Sequence, residues 1–285
     1  MAKIMDGKLV SEYIRGKIKD EAASLKARNI VPGLAVILVG DDPASKIYVN
    51  NKKKACEQLG FYSEEHLLPA DISQEDLMAI VQSLNVRSDI NGILCQLPLP
   101  SHLDVAPVIE AINSLKDVDA FHPVNVGRIM TGDFKFLPCT PAGVMEMIEY
   151  YGIDVDGKSC CVIGRSDIVG KPMSMLMLHK NATVTICHSH TKNLNEICRA
   201  ADIIVAAIGR PRFVTADMVK PGAVVIDVGI NRLETGKICG DVDFDSVEPI
   251  ASYITPVPGG VGPMTITMLM KNTLTAAKIQ NLLDK

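Results

Sequence analysis

Residues 34–52 read LAVILVGDDPASKIYVNNK and decide the fold class. The first six residues are apolar and rich in β-branched side chains, which predicts a strand buried on both faces. A Gly-Asp-Asp-Pro turn follows, and residues 45–52 continue as a helix. A strand, a tight turn and a helix in this order predict an α/β fold with a parallel sheet. On the helix, Tyr48 and Lys52 are one turn apart and therefore share a face.

The alternation of strand-length apolar runs and amphipathic helical stretches continues along the chain. Further strands are predicted at residues 61–67, 92–97, 159–163, 182–187, 202–207 and 223–228. A loop-rich segment at residues 116–141 divides the series in two. We therefore predict two domains, each a parallel-sheet α/β unit, at residues 1–138 and 139–263, the second of Rossmann type. A long helix at about residues 264–285 is predicted to pack back on the first domain.

Composition excludes several classes of protein. The 285 residues are 47% apolar and carry a net charge of −4, which argues against a general nucleic-acid binder. No apolar run is long enough to span a bilayer, and the N-terminus lacks the apolar core of a secretory signal. None of the eight cysteines forms a Cys-x-x-Cys pair, so we predict reduced thiols and a cytoplasmic location. Cys187-His-Ser-His190 has no second ligand cluster at suitable spacing, so no metal is predicted.

Lys52 is the first candidate for acid–base chemistry. A Lys with a partly desolvated stem exchanges protons readily, and Tyr48 lies beside it on the helix. Gln96 ends a predicted strand and, in a parallel sheet, points toward the same rim. There its uncharged amide orients the amine without neutralising it. The alternative for Lys52 is a solvated basic face, since Lys53 and Lys54 follow at once.

Two loops offer further binding groups. Asp119 lies in an Asp-Val-Asp-Ala-Phe-His segment, where its carboxylate can accept hydrogen bonds from an amidine-like ring edge; a turn-forming role is the alternative. Residues 255–265 read TPVPGGVGPMT, with five Pro or Gly residues from Pro258 to Pro263. This loop is either a rigid connector or a wall of a ligand site, and its apolar character favours the wall.

Residues 160–172, CCVIGRSDIVGKP, indicate a dinucleotide site. They are typical of a strand, a Gly turn and a helix start, whose backbone amides suit a pyrophosphate. The pattern departs from Gly-x-Gly-x-x-Gly, because Ser166 replaces the second Gly and Gly170 comes one residue late. An ordinary strand–helix turn is therefore the alternative. Two later strand ends carry Gly209 and Gly229, where backbone can approach a ligand closely.

The end of the next strand favours NADP over NAD. A site for NAD usually places an acid there for the ribose hydroxyls, whereas this chain has Cys187-His-Ser-His-Thr191. Arg165 in the turn and Lys171 nearby add positive charge. A cation, hydroxyl donors and no carboxylate suit a 2′-phosphate. The alternative is that these polar residues, Thr191 among them, cap the next helix.

Together these motifs resemble the bifunctional methylenetetrahydrofolate dehydrogenase/cyclohydrolase family nearly from end to end. The most specific are Tyr48-x-x-x-Lys52, Gln96-Leu-Pro-Leu-Pro100, Lys116-Asp-Val-Asp119, Pro138-Cys-Thr-Pro141-Ala-Gly143, Gly164-Arg-Ser, Asp227-Val-Gly-Ile-Asn231 and Pro258-Gly-Gly-Val-Gly-Pro-Met-Thr265. The resemblance implies a folate-binding catalytic domain and an NADP domain with a cleft between them, and a homodimer formed through the nucleotide domains. It implies NADP-dependent oxidation of 5,10-methylenetetrahydrofolate to the methenyl form, followed by hydrolysis to 10-formyltetrahydrofolate.

The resemblance also implies roles for individual residues. Catalytic groups are Lys52, Tyr48, Gln96 and Asp119; substrate contacts are Tyr48, Lys52, Gln96, Leu97, Asp119, Pro258, Gly259 and Gly260; cofactor contacts are Gly164, Arg165, Ser166, Ser189, Gly209 and Ile230. Lys52 is the general base and acid of the hydrolysis, whereas hydride transfer needs no protein base. Ala120 stands where the family usually has Gly, which affects the loop without removing the Asp119 carboxylate.

Two other functions remain open from the residues alone. A dehydrogenase of a hydroxy or amino acid would need a base and an Arg, for which His188 and Arg210 are available. That reading leaves Tyr48, Lys52 and Gln96 unexplained. A non-catalytic nucleotide-binding protein is the other alternative, and the intact set of candidate catalytic groups argues against a degraded site.

Overall fold

The structure, a computed structural model, describes residues 1–283 apart from the side chain of Ala44. Asp284 and Lys285, the end of the predicted C-terminal helix, lie outside the described residues. The chain divides into two compact units. The three-stranded unit comprises Tyr13–Leu137 and the residues from Ile266, and the six-stranded unit comprises Met1–Glu12 and Pro138–Thr265.

Strands and helices alternate through both units. The first part of the chain holds β1 (Lys3–Ile4), α1 (Gly7–Lys26), β2 (Gly33–Val39), α2 (Pro43–Leu59), β3 (Tyr62–Leu68), α3 (Gln74–Asn85), β4 (Gly92–Cys95), α4 (Val105–Ala111) and α5 (Pro123–Thr131). The second holds α6 (Cys139–Tyr150), β5 (Ser159–Ile163), α7 (Gly170–His179), β6 (Thr183–Cys187), α8 (Leu194–Ala200), β7 (Ile203–Ala206), a 3₁₀ turn (Ala216–Met218), β8 (Val224–Asp227), β9 (Asn231–Arg232), β10 (Ile238–Cys239), α9 (Phe244–Val247), β11 (Tyr253–Ile254) and α10 (Val261–Gln280). The predicted two-domain α/β fold is confirmed.

None of the helices within residues 1–283 has the length and apolar character that a membrane crossing requires.

In the three-stranded unit the sheet order is β3-β2-β4, and both pairings are parallel. All seven residues of the central strand β2 are buried, which explains its unbroken apolar sequence. Buried residues of α3 and α4, among them Leu77, Val81 and Val108, pack with β2 and β4 in one core cluster. Parallel pairing brings the carboxyl ends of β2 and β4 to the same edge of the sheet.

The six-stranded unit has a fully parallel sheet in the order β1-β11-β8-β7-β5-β6. The strands β5, β7 and β8 are almost entirely buried, and their carboxyl ends share one edge with that of β6. The pairing of β1 with β11 places the start of the chain in this unit. The short strands β9 and β10 form a separate antiparallel pair.

The helix α5 differs from the sequence prediction, which treated residues 116–141 as a loop. Its nine residues begin at Pro123, whose fixed φ suits a first helical position, and end before Gly132 in the left-handed region. Only Asn125 and Ile129 of this helix are buried. So short an apolar pattern carries too little periodicity to be recognised in a sequence.

Candidate active site

The helix α2 holds Lys52 in a buried position. The Asp42 carboxylate caps α2 by accepting a hydrogen bond from the backbone N–H of Ser45 at 2.7 Å, which fixes where the helix begins. Lys52 is 9% exposed, whereas Lys53 and Lys54 face solvent. The solvated basic face that was the alternative for Lys52 therefore describes its two neighbours instead.

Gln96 orients the Lys52 amine. The Lys52 Nζ donates to Gln96 Oε1 at 2.7 Å. The Gln96 Nε2 donates to the carbonyl oxygen of Leu97 at 2.8 Å, which fixes the amide with its oxygen toward Lys52. The backbone N–H of Gln96 donates to Ile37 at 2.8 Å, so the β2–β4 ladder itself positions the residue. A neutral acceptor orients an ammonium while favouring its charge less than a carboxylate would.

Asp119 lies at the same end of the sheet as Lys52. The pKa of the Cys95 thiol is raised to about 12, chiefly by burial and also by the Asp119 charge, while the Lys52 charge lowers it. Cys95 is the last residue of β4, so both charged groups lie near the carboxyl end of that strand. Tyr48 is 44% exposed and one turn before Lys52, which leaves much of its ring available to a ligand.

The other charged residues of the Lys116-Asp-Val-Asp119 motif stabilise the loop. The buried Lys116 donates through Nζ to the carbonyl oxygens of Leu84 and Arg87 at 3.1 and 2.5 Å. The Asp117 carboxylate accepts from the backbone N–H groups of Phe121 at 3.2 Å and His122 at 2.8 Å, and from Asn125 Nδ2 at 2.8 Å. Asp117 is buried, but Asp119 is only half-buried. These anchors hold the backbone on either side of Asp119.

Ala120 adopts a conformation that favours glycine, with a φ of 59°. We expect Ala120→Gly to change the free energy of unfolding by less than about 1 kcal/mol, because three effects nearly cancel. Relief of left-handed strain gains about 1–2 kcal/mol, while loss of a fully buried methyl costs about 0.8 kcal/mol and added chain entropy about 0.5–1 kcal/mol. Urea denaturation of the two proteins measures the difference. A stabilisation above about 2 kcal/mol would show that strain dominates.

The six-stranded unit contains a cavity of about 340 Å³ at the carboxyl ends of its central strands. It is lined by Ile163, Gly164, Arg165, Ser166, His188, Ser189, Leu194, Ala207, Ile208, Arg210 and Phe213. This is where open α/β sheets bind nucleotides. The set includes two guanidinium groups and no carboxylate among the described residues, which fits an anionic ligand and a ribose 2′-phosphate.

The turn after β5 is shaped by close backbone contacts. Gly164 has a φ of 134°, and a Cβ there would lie 2.3 Å from the carbonyl oxygen of Ala207. The Ser166 hydroxyl accepts from the backbone N–H groups of Val169 at 3.2 Å and Gly170 at 3.3 Å, at the start of α7. Ser166, which stands where the second Gly of the pattern would be, thus holds the start of α7 through its hydroxyl.

The two cations near this turn differ in availability. Lys171, in the first turn of α7, forms an ion pair with Asp167 in the turn that precedes the helix. Arg165 is exposed and forms no hydrogen bond or ion pair with the other described residues. Of the two cations, Arg165 is therefore the one that remains available to an anionic ligand.

The segment after β6 is held by its own side chains. Thr191 Oγ1 accepts from the backbone N–H of His188 at 2.8 Å, and His188 Nδ1 accepts from that of His190 at 3.2 Å. Thr191 thus closes this turn, and α8 begins only after Asn193. Ser189 is exposed at the turn and lines the cavity.

The remaining predicted residues lie outside the cavity lining. Gly209 lies between the lining residues Ile208 and Arg210, while Ile230 is 51% exposed after β8. Pro258 and Gly259 are at least partly exposed, whereas Gly260 is buried. Gly260 lies against Gly7, and a Cβ on Gly7 would lie 1.7 Å from the Gly260 carbonyl oxygen. These positions belong to the six-stranded unit, whereas Tyr48, Lys52, Gln96, Leu97 and Asp119 belong to the three-stranded unit.

Sequence reasoning missed several groups. The apolar lining residues Leu194, Ile208 and Phe213 were not predicted, although each follows a predicted strand, where ligand walls are common. Asp241 was also missed; it is fully buried and contacts the loop that carries Arg210. Within residues 1–283 no group of three or more His, Cys, Asp or Glu side chains is arranged to hold a metal ion.

Comparison with known proteins gives matches in both units. Residues 5–119 match the family model "Tetrahydrofolate dehydrogenase/cyclohydrolase, catalytic domain", and residues 138–281 match "Tetrahydrofolate dehydrogenase/cyclohydrolase, NAD(P)-binding domain". The Bifunctional protein FolD of Acetivibrio thermocellus is 59% identical over 279 residues, which cover 98% of each chain.

Solved structures agree. The bifunctional enzyme FolD from Campylobacter jejuni has a TM-score of 0.96 and 50% identity, over 98% of this chain and 99% of that one. The Trypanosoma brucei methylenetetrahydrofolate dehydrogenase-cyclohydrolase, solved with NADP cofactor and inhibitor, has a TM-score of 0.94 and 40% identity over 98% of each chain.

Proposed function

The chain belongs to the tetrahydrofolate dehydrogenase/cyclohydrolase family, and we propose that its two units supply the separate groups needed for that family's two reactions. The protein is a bifunctional enzyme that oxidises 5,10-methylenetetrahydrofolate to the 5,10-methenyl form with NADP and hydrolyses that product to 10-formyltetrahydrofolate. The observation that carries the assignment of groups is the buried Lys52 amine, held by Gln96 at 2.7 Å. This pair lies in the unit that matches the family's catalytic domain.

Lys52 is the general base and acid of the hydrolysis. Water adds to the amidinium carbon of the methenyl bridge, and the neutral amine takes the proton that the water loses. The resulting ammonium returns this proton to N5 as the bond between N5 and the bridge carbon breaks. The remaining hydroxyl proton passes to solvent as the carbonyl forms, which leaves the formyl group on N10. Gln96 keeps Nζ in one orientation through both transfers, and such positioned proton transfer contributes about 100- to 10,000-fold to a rate.

The other predicted residues of the three-stranded unit bind the folate. The Asp119 carboxylate accepts hydrogen bonds from the N–H edge of the pterin, and the anchored Lys116 and Asp117 limit its motion. The exposed ring of Tyr48 stacks on the substrate or donates to it, and Leu97 adds apolar contact. Pro258, Gly259 and Gly260 are the proposed substrate contacts of the six-stranded unit.

NADP, when bound, supplies the nicotinamide that accepts the hydride. Gly164, Ser166, Gly209 and Ile230 are the proposed contacts along the dinucleotide, while Arg165 and Ser189 bind its 2′-phosphate. The absence of a carboxylate from the described residues of the cavity lining supports NADP over NAD. The folate nitrogen lone pair drives hydride loss, so the protein's task in this step is to hold the two reactants in register.

The test is an assay of the purified protein with both folates. We expect reduction of NADP with 5,10-methylenetetrahydrofolate, and separate loss of 5,10-methenyltetrahydrofolate absorbance in the absence of any nucleotide. A panel of hydroxy and amino acids serves as the control for another dehydrogenase. Turnover of one of those acids without folate turnover would overturn the proposal, and so would nucleotide binding without any turnover.

The strand β6 supports a homodimer formed through the nucleotide-binding unit. It is the edge strand of the six-stranded sheet, with β5 as its neighbour, and Ile186 is 42% exposed on it. An unpaired edge can add the same strand of a second copy about a twofold axis. We expect Ile186→Lys to weaken the dimer at least about tenfold in sedimentation analysis. Ile238→Lys, which alters an Ile that is 39% exposed on β10, is the control; a monomeric parent protein would contradict the proposal.

We propose a function for each domain and a cellular location for the protein. The predicted folate domain is residues 1–138 with the C-terminal helix, and the predicted NADP domain is residues 139–263. In the structure, Met1–Glu12 belong to the six-stranded unit instead, because β1 pairs with β11. All eight cysteines are free thiols, and seven of them are buried, which fits a reducing compartment such as the cytoplasm. Cell fractionation tests the location.

A further inference from the structure

Asp241 is a fully buried carboxylate to which neither reaction assigns a role. Its Oδ2 accepts from the backbone N–H groups of Ile208 at 2.7 Å and Gly209 at 3.0 Å, and its Oδ1 accepts from that of Arg210 at 2.9 Å. A fourth bond to Oδ1 comes from Asn231 Nδ2 at 2.9 Å. Three successive backbone donors thus converge on one side chain, an arrangement of amides that elsewhere binds anionic ligands.

The loop held in this way forms a wall of the nucleotide cavity. Ile208 and Arg210 line the cavity, and the Arg210 guanidinium lies 4.7 Å from the centre of the Phe213 ring, which also lines it. Gly209, between them, has a φ of 65°, which gives the loop its sharp bend. The orientation of the Arg210 side chain therefore depends on the loop backbone, which the buried Asp241 holds by hydrogen bonds.

Asp241 is itself fixed by a second buried carboxylate. Asp227, at the end of β8, accepts from the backbone N–H groups of Gly229, Asp241 and Val242, each at 2.9 Å. The fit is tight, because a Cβ on Gly229 would lie 2.3 Å from Asp241 Cγ, and one on Gly240 would lie 1.8 Å from Asp227 Oδ2. The pKa of Asp227 is raised to about 6, chiefly by burial and also by the adjacent Asp241 charge, although the three backbone hydrogen bonds lower it. Buried carboxylates are tolerated only when they are hydrogen-bonded in this way, so both side chains are held in one arrangement.

We propose that Asp241 is a positioning residue of the NADP site, which holds the Ile208–Gly209–Arg210 loop so that Arg210 and Phe213 form one rigid wall for the adenosine end of the cofactor. The inference rests on the proposed function, since it deepens the assignment of this cavity to NADP. Asp241 touches neither folate nor cofactor, so its effect must pass through the loop. Arg210 adds a second guanidinium to Arg165 at the same cavity.

The test measures the two reactions of the full-length enzyme separately. We expect Asp241→Asn to raise KM for NADP at least about tenfold, because an amide cannot accept all four hydrogen bonds and presents N–H groups to backbone donors. The kcat at saturating NADP should change much less. Hydrolysis of 5,10-methenyltetrahydrofolate without nucleotide should stay within about twofold of the parent, which shows that the variant is folded.

Two further variants separate positioning from general stability. Asp202→Asn is the matched control: Asp202 accepts from Ser159 at 3.0 and 2.8 Å and from Lys220 at 2.6 Å, but does not line the nucleotide cavity, so KM for NADP should not change. Arg210→Ala should raise KM for NADP in the parent enzyme but add little in the Asp241→Asn background, because the two residues act through one loop.

The outcomes are distinct. An unchanged KM for NADP in Asp241→Asn, or fully additive effects of the two substitutions, would overturn the inference. Should Asp241→Asn lose hydrolysis as well, Asn231→Ala removes one of the four hydrogen bonds and should still raise KM for NADP about two- to tenfold; no rise there would also overturn it. A parent enzyme without either reaction would instead refute the proposed function.

Discussion

Replacing Lys52 with methionine is expected to lower the rate of 5,10-methenyltetrahydrofolate hydrolysis by at least about a hundredfold, the usual scale for a lost acid–base group. Methionine fills a similar volume but cannot exchange a proton. The addition of water and the breaking of the N5–carbon bond then depend on solvent for both proton transfers. Hydride transfer needs no protein base, so NADP reduction should fall much less. The measurement compares kcat for the two reactions in the same preparation.

The neighbouring lysine provides the control for this experiment. Lys54 is exposed on the same helix, so Lys54→Met removes the same charge and adds the same side chain without touching Gln96. We expect both activities of that variant to stay within about twofold of the parent enzyme, as for surface substitutions in general. An equal loss of both activities in Lys52→Met would show that the amine serves binding or folding rather than proton transfer.

The central features of the fold and of the folate site follow from local sequence patterns. The strand β2 and the helix α2 are recognisable because an unbroken apolar run meets a turn and a helical period. Lys52 and Gln96 then come together for a topological reason, since adjacent parallel strands end at one edge of a sheet. The local pattern does not predict the hydrogen bond of 2.7 Å between Lys52 Nζ and Gln96 Oε1. Nor does it predict that Lys52 is buried beside two exposed lysines.

Other features depend on contacts between distant parts of the chain. The strands β1 and β11 have two residues each, too few for any periodicity, and they exist because they pair with each other across the sheet. The motif Lys116-Asp-Val-Asp119 contains two aspartates, and only the fold distinguishes the buried Asp117 from the half-buried Asp119. Asp241 escapes notice for the same reason, because its three backbone donors lie more than thirty residues earlier.

The nucleotide site is the place where one guanidinium is expected to decide the choice of cofactor. Arg165 is exposed at the cavity and has no partner among the described side chains that would compete for a phosphate. An Arg–phosphate contact is charge-assisted and often bidentate, and is worth about 1.5–3 kcal/mol. We therefore expect Arg165→Ala to raise KM for NADP about 10- to 100-fold. NAD lacks the 2′-phosphate, so its KM should change by no more than about threefold.

Lys171 is the matched control for Arg165. It lies near the same turn but is paired with Asp167, and both side chains are largely exposed. The ion pair therefore contributes little to stability, and the Asp167 carboxylate offsets the Lys171 charge that a phosphate would meet. Lys171→Ala should leave KM for NADP within about twofold of the parent. The ratio of kcat/KM for NADP to that for NAD is the deciding quantity. If Arg165→Ala leaves this ratio unchanged, or weakens both nucleotides equally, the guanidinium does not read the 2′-phosphate, and the preference for NADP must come from the Ser189 turn or from Arg210.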